Sequence, residues 1–195
     1  MNDNIIRKGR VDDAEDFARL FILSCPALSV SLFGTNAREV IKRIFLRPKN
    51  LFSLEHSCFA EVDGRITGMV LGYNGEHTKA EWLRTYLLLF KYMKWSFLPR
   101  AVYLLKSYKE WNIKENEYYV CSFAVYPEFR GRGSGTKLLL GIEQEARKTS
   151  GKAVLDVDAD NSRAIKLYER FGYVIESPAS SMKTFEYYRM NKTLK

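Results

Sequence analysis

The amino-acid sequence predicts a mixed α/β (α+β) domain, and three observations carry that prediction. Runs rich in β-branched and aromatic residues recur at Ser57–Val62, Arg65–Tyr73, Glu117–Val125 and Lys152–Val157. Stretches with apolar residues at helical spacing lie before, between and after them. Turn signals at Asp63-Gly64 and Asn74-Gly75 bound a hairpin, whereas other runs are joined through helices, so the sheet is mixed.

Taken in order, Ile5–Arg10 reads as a short first strand. Asp12 followed by Glu15 matches a capping box, after which Ala14, Phe17, Ala18 and Phe21 fall at helical spacing. A second helix is predicted over Asn36–Leu46, with Val40, Ile41, Ile44 and Phe45 inward and Arg47-Pro48 as its stop. The hairpin follows. Residues 77–116, from His77 to Asn116, are rich in Trp, Tyr, Phe and Leu with cations between them. Their spacing is helical, and Pro99 divides them into two inserted helices. After the strand Glu117–Val125, Pro127 and a glycine cluster lead into a helix over Thr136–Ser150 with Leu138, Leu139, Ile142 and Ala146 as its stripe. Lys152–Val157 reads as a buried strand and Ser162–Phe171 as a helix stopped by Gly172. Tyr173–Ser177 and Phe185–Asn191 read as two final strands.

At 195 residues and 46% hydrophobic content, the chain suits a single domain over 1–195 with a real core. A net charge of +8 favours anionic partners. The cations are spread along the chain rather than blocked together, so nucleic acid is not expected as a partner. Cys25, Cys58 and Cys121 form no CxxC pair, and His56 and His77 are the only histidines, so neither a disulfide framework nor a metal site is expected. Buried, reduced thiols are the better reading. No signal-like leader opens the sequence, and no apolar run approaches the roughly 18 residues of a spanning helix, so the expectation is a cytoplasmic protein without a membrane span.

Arg130-Gly131-Arg132-Gly133-Ser134-Gly135-Thr136 sits between a strand and a helix. Alternate glycines let the backbone turn tightly beside a ligand, and helix-start N–H groups with the helix dipole favour a diphosphate. Arg130, Arg132 and Lys137 add charge. No G-x-x-x-x-G-K-[ST] string occurs. The dinucleotide pattern G-x-G-x-x-G fails because its third glycine falls on Thr136. The plainer alternative is an ordinary strand–helix turn, but three glycines framed by arginines favour a phosphate site.

Phe123-Ala124-Val125-Tyr126-Pro127-Glu128-Phe129-Arg130-Gly131-Arg132-Gly133-Ser134-Gly135 resembles the [RQ]-x-x-G-x-[GA] motif of the GNAT superfamily of CoA-dependent N-acyltransferases. Downstream, Asp160–Tyr173 is similar to that family's N-x-x-A-x-x-L-Y-x-x-x-G-[FY] pattern, carried by Asn161, Ala164, Leu167, Tyr168, Gly172 and Tyr173. The resemblance implies a mostly antiparallel central sheet flanked by helices, with the helical insertion between the third and fourth strands. It implies acetyl-CoA as acyl donor and an amine acceptor, either a small molecule or a protein amine. By position, the backbone of Phe123, Ala124 and Val125 would pair with the pantetheine amides. The amides of Gly131, Arg132, Gly133, Ser134, Gly135 and Thr136, with Arg130, would hold the pyrophosphate. Asn161 and Ala164 would flank the pantetheine arm, and Tyr168 would lie at the sulfur. A non-catalytic acyl-CoA sensor is the rival that this resemblance allows.

Direct acyl transfer needs a neutral amine, a donor for the oxyanion and a proton for the leaving thiolate. Tyr168 is the candidate acid, and a backbone N–H near Phe123–Val125 serves the oxyanion. Glu117, which opens that strand, is the candidate base, with a solvated strand-end carboxylate as the equal alternative. Cys121 reads as packing. The aromatic insertion, with Trp82, Tyr86, Phe90, Trp95, Tyr103, Tyr108 and Trp111, packs on the core or on a second copy in a homodimer, walls the acceptor pocket, or lies on a membrane surface.

Overall fold

A computed structural model describes residues 5–76, 78–101, 113–176, 180–182 and 185–194. Among the described residues, eight strands form one sheet: β1 (Ile5–Lys8), β2 (Ser57–Val62), β3 (Arg65–Asn74), β4 (Glu117–Val125), β5 (Lys152–Asp158), β6 (Val174–Ile175), β7 (Ser180–Met182) and β8 (Phe185–Thr193). Their order is β1-β2-β3-β4-β5-β8-β6, with β7 also on β8. Among the described strands, β4 and β5 run parallel and the other pairs are antiparallel. The mixed, mostly antiparallel sheet is therefore as the sequence predicts.

Helices cover both faces. On one lie α1 (Ala14–Ser24), α2 (Pro26–Phe33), α3 (Ala37–Phe45) and α4 (Thr78–Met93). Phe17 stacks on Phe45 at 4.3 Å, and Phe21, Phe33 and Phe52 meet edge to face, an arrangement suited to aromatic quadrupoles. On the other face lie α5 (Ser134–Arg147) and α6 (Ser162–Arg170), burying Leu138, Leu139, Ile142 and Tyr168. The buried Glu143 of α5 accepts from Lys192 of β8 at 2.7 and 2.8 Å, so that helix is pinned to the sheet.

Several boundaries differ from the sequence reading for identifiable reasons. The capping contact sits in the short turn Val11–Asp13 ahead of α1 and not at Asp12–Glu15: Asp13 accepts the Arg10 N–H at 2.7 Å and both terminal nitrogens of Arg7. Helix α2 escapes a search for amphipathic spacing because Ala27, Leu28, Val30, Leu32 and Phe33 are apolar nearly all round; Pro26 at its first position was its signal. In the insertion, the helix break falls at Lys94, whose φ is +52°, and not at Pro99. Pro99 sits in the first turn of the following helical segment, where its missing N–H costs nothing. The insertion's Tyr103, Tyr108 and Trp111, its first residue His77, and Ser177 lie outside the described residues.

Helix α4 packs inward through Trp82, Thr85, Leu89 and Met93. Thr85 accepts the Leu51 N–H, and Glu81 meets His56 at 2.8 Å. Packing on the core is thus one role the insertion fills, while Leu83, Leu87, Phe90 and Trp95 stay exposed. Among the described residues, no single helix is long and apolar enough to cross a membrane.

Candidate active site

The central feature is a split in the sheet. Strands β4 and β5 pair only from Glu117–Lys152 to Val120–Leu155. Beyond that, β4 stays with β3 as far as Val125, and β5 stays with β8 as far as Asp158. A bulge at Cys121 marks the parting, since Leu71 faces Ser122 and the next residue, Gly72, faces Val120. Such a bulge bends and twists its strand locally.

The register fixes which backbone groups face the split. The Tyr126 N–H donates to the Thr67 carbonyl at 2.9 Å, so antiparallel alternation turns the N–H and C=O of Phe123 and Val125 away from β3. They present a strand edge to whatever enters between β4 and β5. The Val125 carbonyl accepts from Arg130 Nε at 3.1 Å, which gives that arginine a positioning contact in addition to its charge.

Past Val125 the chain turns through Pro127–Phe129 into α5. Gly131 and Gly133 have φ of +78° and +85°, left-handed conformations in which a side chain is strained. Helix α5 begins at Ser134, two residues earlier than predicted. Its first turn closes from the Lys137 N–H to the Gly133 carbonyl at 3.0 Å. The N–H groups of Gly135 and Thr136 lie in this first turn, ahead of the closed helical ladder, and such groups point outward from a helix start. The Ser134 hydroxyl is not part of this array, because it is buried against Thr67 Oγ1 at 3.1 Å. Gly135 borders Phe123, Val125 and Leu167, so the helix start lies against the split. Arg132 is exposed, with its guanidinium 5.8 Å from the Phe129 ring.

Helix α6 supplies the other wall. Asn161 caps it, accepting the Ala164 N–H at 3.1 Å through Oδ1. That leaves the Asn161 side-chain amide N–H groups as its outward donors. Tyr168 is buried, with its ring edge-on to Phe123 at 6.2 Å and 5.7 Å from Tyr173. Burial alone pushes its phenol well above the ordinary tyrosine range. Tyr168 thus meets Phe123, Gly135 at the α5 start borders Phe123, Val125 and Leu167, and Ala164 packs in the same cluster as Tyr168.

Glu117, the candidate base, lies at the other end of β4 from the opening between β4 and β5. It opens β4 at the paired end, six residues from Phe123, or about 20 Å at ~3.3 Å per residue. It is buried, accepts the Lys114 N–H at 3.1 Å and lies 3.5 Å from Lys152 Nζ. Its work is to hold the strand start. Glu117→Gln is expected to cost about 1–3 kcal/mol of stability, the scale of a hydrogen bond to a charged group, and to leave kcat within about twofold. A larger fall in kcat at unchanged folding would return Glu117 to the chemistry.

Cys121 fits packing, since burial pushes its thiol up to about 12 and keeps it protonated. Among the described residues, no group of three or more His, Cys, Asp or Glu side chains is gathered to ligate a metal. Sequence reasoning weighed Asp156 only as the acidic partner of the failed dinucleotide pattern and gave it no part in acyl transfer, yet it lies just beyond the parting of the strands. Its signal was the single carboxylate inside the run Ala153-Val154-Leu155-Asp156-Val157.

Comparison with known proteins places this geometry in context. The model of the acetyltransferase (GNAT) family matches residues 30–173. The mycothiol acetyltransferase of Corynebacterium aurimucosum is 43% identical over 60 residues, which are 30% of this chain and 19% of that protein. The chain thus spans about a fifth of the length of that curated relative. An N-acetyltransferase from Staphylococcus aureus Mu50 shares the fold with a TM-score of 0.72 at 23% identity, covering 96% of this chain and 100% of that one. An acetyltransferase from Salmonella typhimurium, solved with acetyl-CoA, has a TM-score of 0.62 at 14% identity over 98% of this chain and 94% of its own.

Proposed function

We propose that this chain, which belongs to the acetyltransferase (GNAT) family and is thereby an acyltransferase, moves an acetyl group from acetyl-CoA directly to a primary amine. The observation that carries the reading is the split between β4 and β5, edged by backbone amides, ending at the α5 start and bordered by a buried tyrosine.

In this reading, the pantetheine arm enters as an added strand and exchanges hydrogen bonds with Phe123 and Val125. The pyrophosphate sits at the start of α5 on the N–H groups of Gly135 and Thr136, favoured by the α5 dipole and by Arg132. Asn161 donates to the arm from the other side. The Tyr168 hydroxyl protonates the sulfur as the C–S bond breaks. Burial raises the tyrosine's proton affinity, and it raises that of a nascent thiolate in the same dry site by the same physics. Support for acetyl-CoA as donor comes from the family and from the Salmonella typhimurium relative solved with it.

The direct test is incubation of the protein with acetyl-CoA and a panel of primary amines, read by thiol release. Amine-dependent release is expected. Release at the same rate without any amine, or no release at all, contradicts the reading.

A further inference from the structure

The split has a second face, away from Tyr168, where side chains gather that the acyl donor does not use. Asp156 is the first residue of β5 beyond the pairing with β4, and it follows Val154 onto the face covered by α1 to α4. Its Oδ2 accepts from the Tyr119 hydroxyl at 2.9 Å. Its Oδ1 is shielded from solvent and accepts no hydrogen bond among the described residues. Nε of Arg189, directly across the ladder on β8, lies 4.0 Å away, too far for a hydrogen bond. Arg189 lies over the Tyr119 ring at 6.0 Å, and its own buried Nη2 also lacks a hydrogen-bond partner.

An unmatched acceptor and an unmatched donor side by side in a shielded site are costly, and native proteins keep few of them. They complement one kind of ligand. We infer that Asp156 and Arg189 form the acceptor site, with Asp156 taking the ammonium and its proton and Arg189 holding an oxygen on the neighbouring carbon, so the acceptor is an α-amino acid or an aminoacyl group. The inference rests on the N-acetyltransferase reading above. A plain alkylamine satisfies Asp156 and leaves Arg189 Nη2 unmatched; an α-aminoacyl group satisfies both. Its α-amine, with a reference pKa of about 8 against about 10.4 for a lysine-type amine, is also the easier of the two for a carboxylate to deprotonate.

The protons balance. The ammonium gives one proton to Asp156, which passes it to solvent. The nitrogen pair forms the C–N bond to the thioester carbon, and the C–S pair leaves on sulfur. Sulfur takes a proton from Tyr168, and the second nitrogen proton replaces it.

The groups facing Asp156 are Tyr119 and Cys121 from β4, Tyr73 from β3, Arg189 from β8 and Glu176 after β6. Burial raises Asp156 above its ordinary range, Arg189 and the Tyr119 hydroxyl oppose that rise, and Glu176 adds to it. Asp156 acts only when ionised. kcat/KM therefore rises with pH through the raised pKa of Asp156 and falls as the free amine loses the proton by which Asp156 holds it.

The test uses the whole chain with saturating acetyl-CoA and compares glycinamide, glycine and ethylamine by thiol release over pH. The expected result is a preference for the two α-amino compounds over ethylamine of at least about tenfold in kcat/KM, as for a site built around a hydrogen bond the smaller amine cannot make. Asp156→Asn should lower kcat/KM by roughly 10²-fold and erase the acidic limb. Arg189→Met should remove the preference over ethylamine by raising KM for glycinamide. If Asp156→Asn does not fold, Tyr119→Phe reads the same assignment: loss of its hydrogen bond should move the acidic limb to higher pH. A wild-type protein that acetylates no amine overturns the N-acetyltransferase reading and this inference together. Amine acetylation whose pH profile is untouched by Asp156→Asn, or by Tyr119→Phe, overturns the Asp156 assignment alone. Equal use of ethylamine and glycinamide overturns the α-amino class.

Discussion

Replacing Tyr168 with phenylalanine is expected to lower kcat by roughly 10²-fold or more at neutral pH, the usual scale for losing a general acid. The ring contacts with Phe123 and Tyr173 survive the change, because they are made by the aromatic face and edge. The folded protein loses little stability, since the hydroxyl makes no hydrogen bond among the described residues. Acetyl-CoA affinity should likewise change little, because the phosphate and pantetheine contacts lie elsewhere. Steady-state kinetics beside a melting curve separate the two effects. Unchanged turnover removes Tyr168 from the mechanism. The raised pKa has a further consequence: the phenol stays protonated across the neutral range, so any basic limb near neutrality belongs to another group.

The second large effect is expected at Gly133. Its φ of +85° places it in the left-handed region immediately before α5, with open space where a side chain would project. Valine therefore meets no clash there, and its cost is conformational, about 1–3 kcal/mol for a non-glycine residue held in such a region. A β-branched residue lies at the upper end, because its χ1 freedom is already limited. The loop relieves that strain by leaving the conformation that aims the Gly135 and Thr136 N–H groups. Gly133→Val should thus weaken acetyl-CoA binding by roughly 5- to 150-fold, the same energy expressed in Kd. Titration calorimetry measures it. Gly151→Val is the control: Gly151 has equally open surroundings but no positive φ and no place at the split. Equal losses in both variants would mean that the Gly133 conformation is not what holds the ligand.

How much of this was legible in the sequence depends on whether a feature is local. The hairpin at Asp63-Gly64, the strand Glu117–Val125 and the glycine turn into α5 are written in short-range patterns, and the structure has them within a residue or two. Helix α2 was not, because a segment apolar on all sides has no period to detect. The split and the bulge at Cys121 were not, because strand separation is a property of two registers, and one register cannot be read from one strand. The same reason explains Glu117. Its position at a strand end was correctly read, but which end of β4 pairs with β5 decides whether a carboxylate meets substrate or lysine. Asp156 is the converse: unremarkable in sequence, it gains meaning only where β5 parts from β4 and Arg189 arrives from β8.

The most direct test of the account follows the acetyl carbon itself. The protein is incubated with acetyl-CoA labelled in the acetyl group and with a primary amine, and the products are identified by mass spectrometry with fragmentation. The account predicts label in an amide on the acceptor nitrogen, with one free CoA thiol released for each amide formed. Labelled free acetate in place of amide, or label transferred to an acceptor oxygen or sulfur, would contradict it.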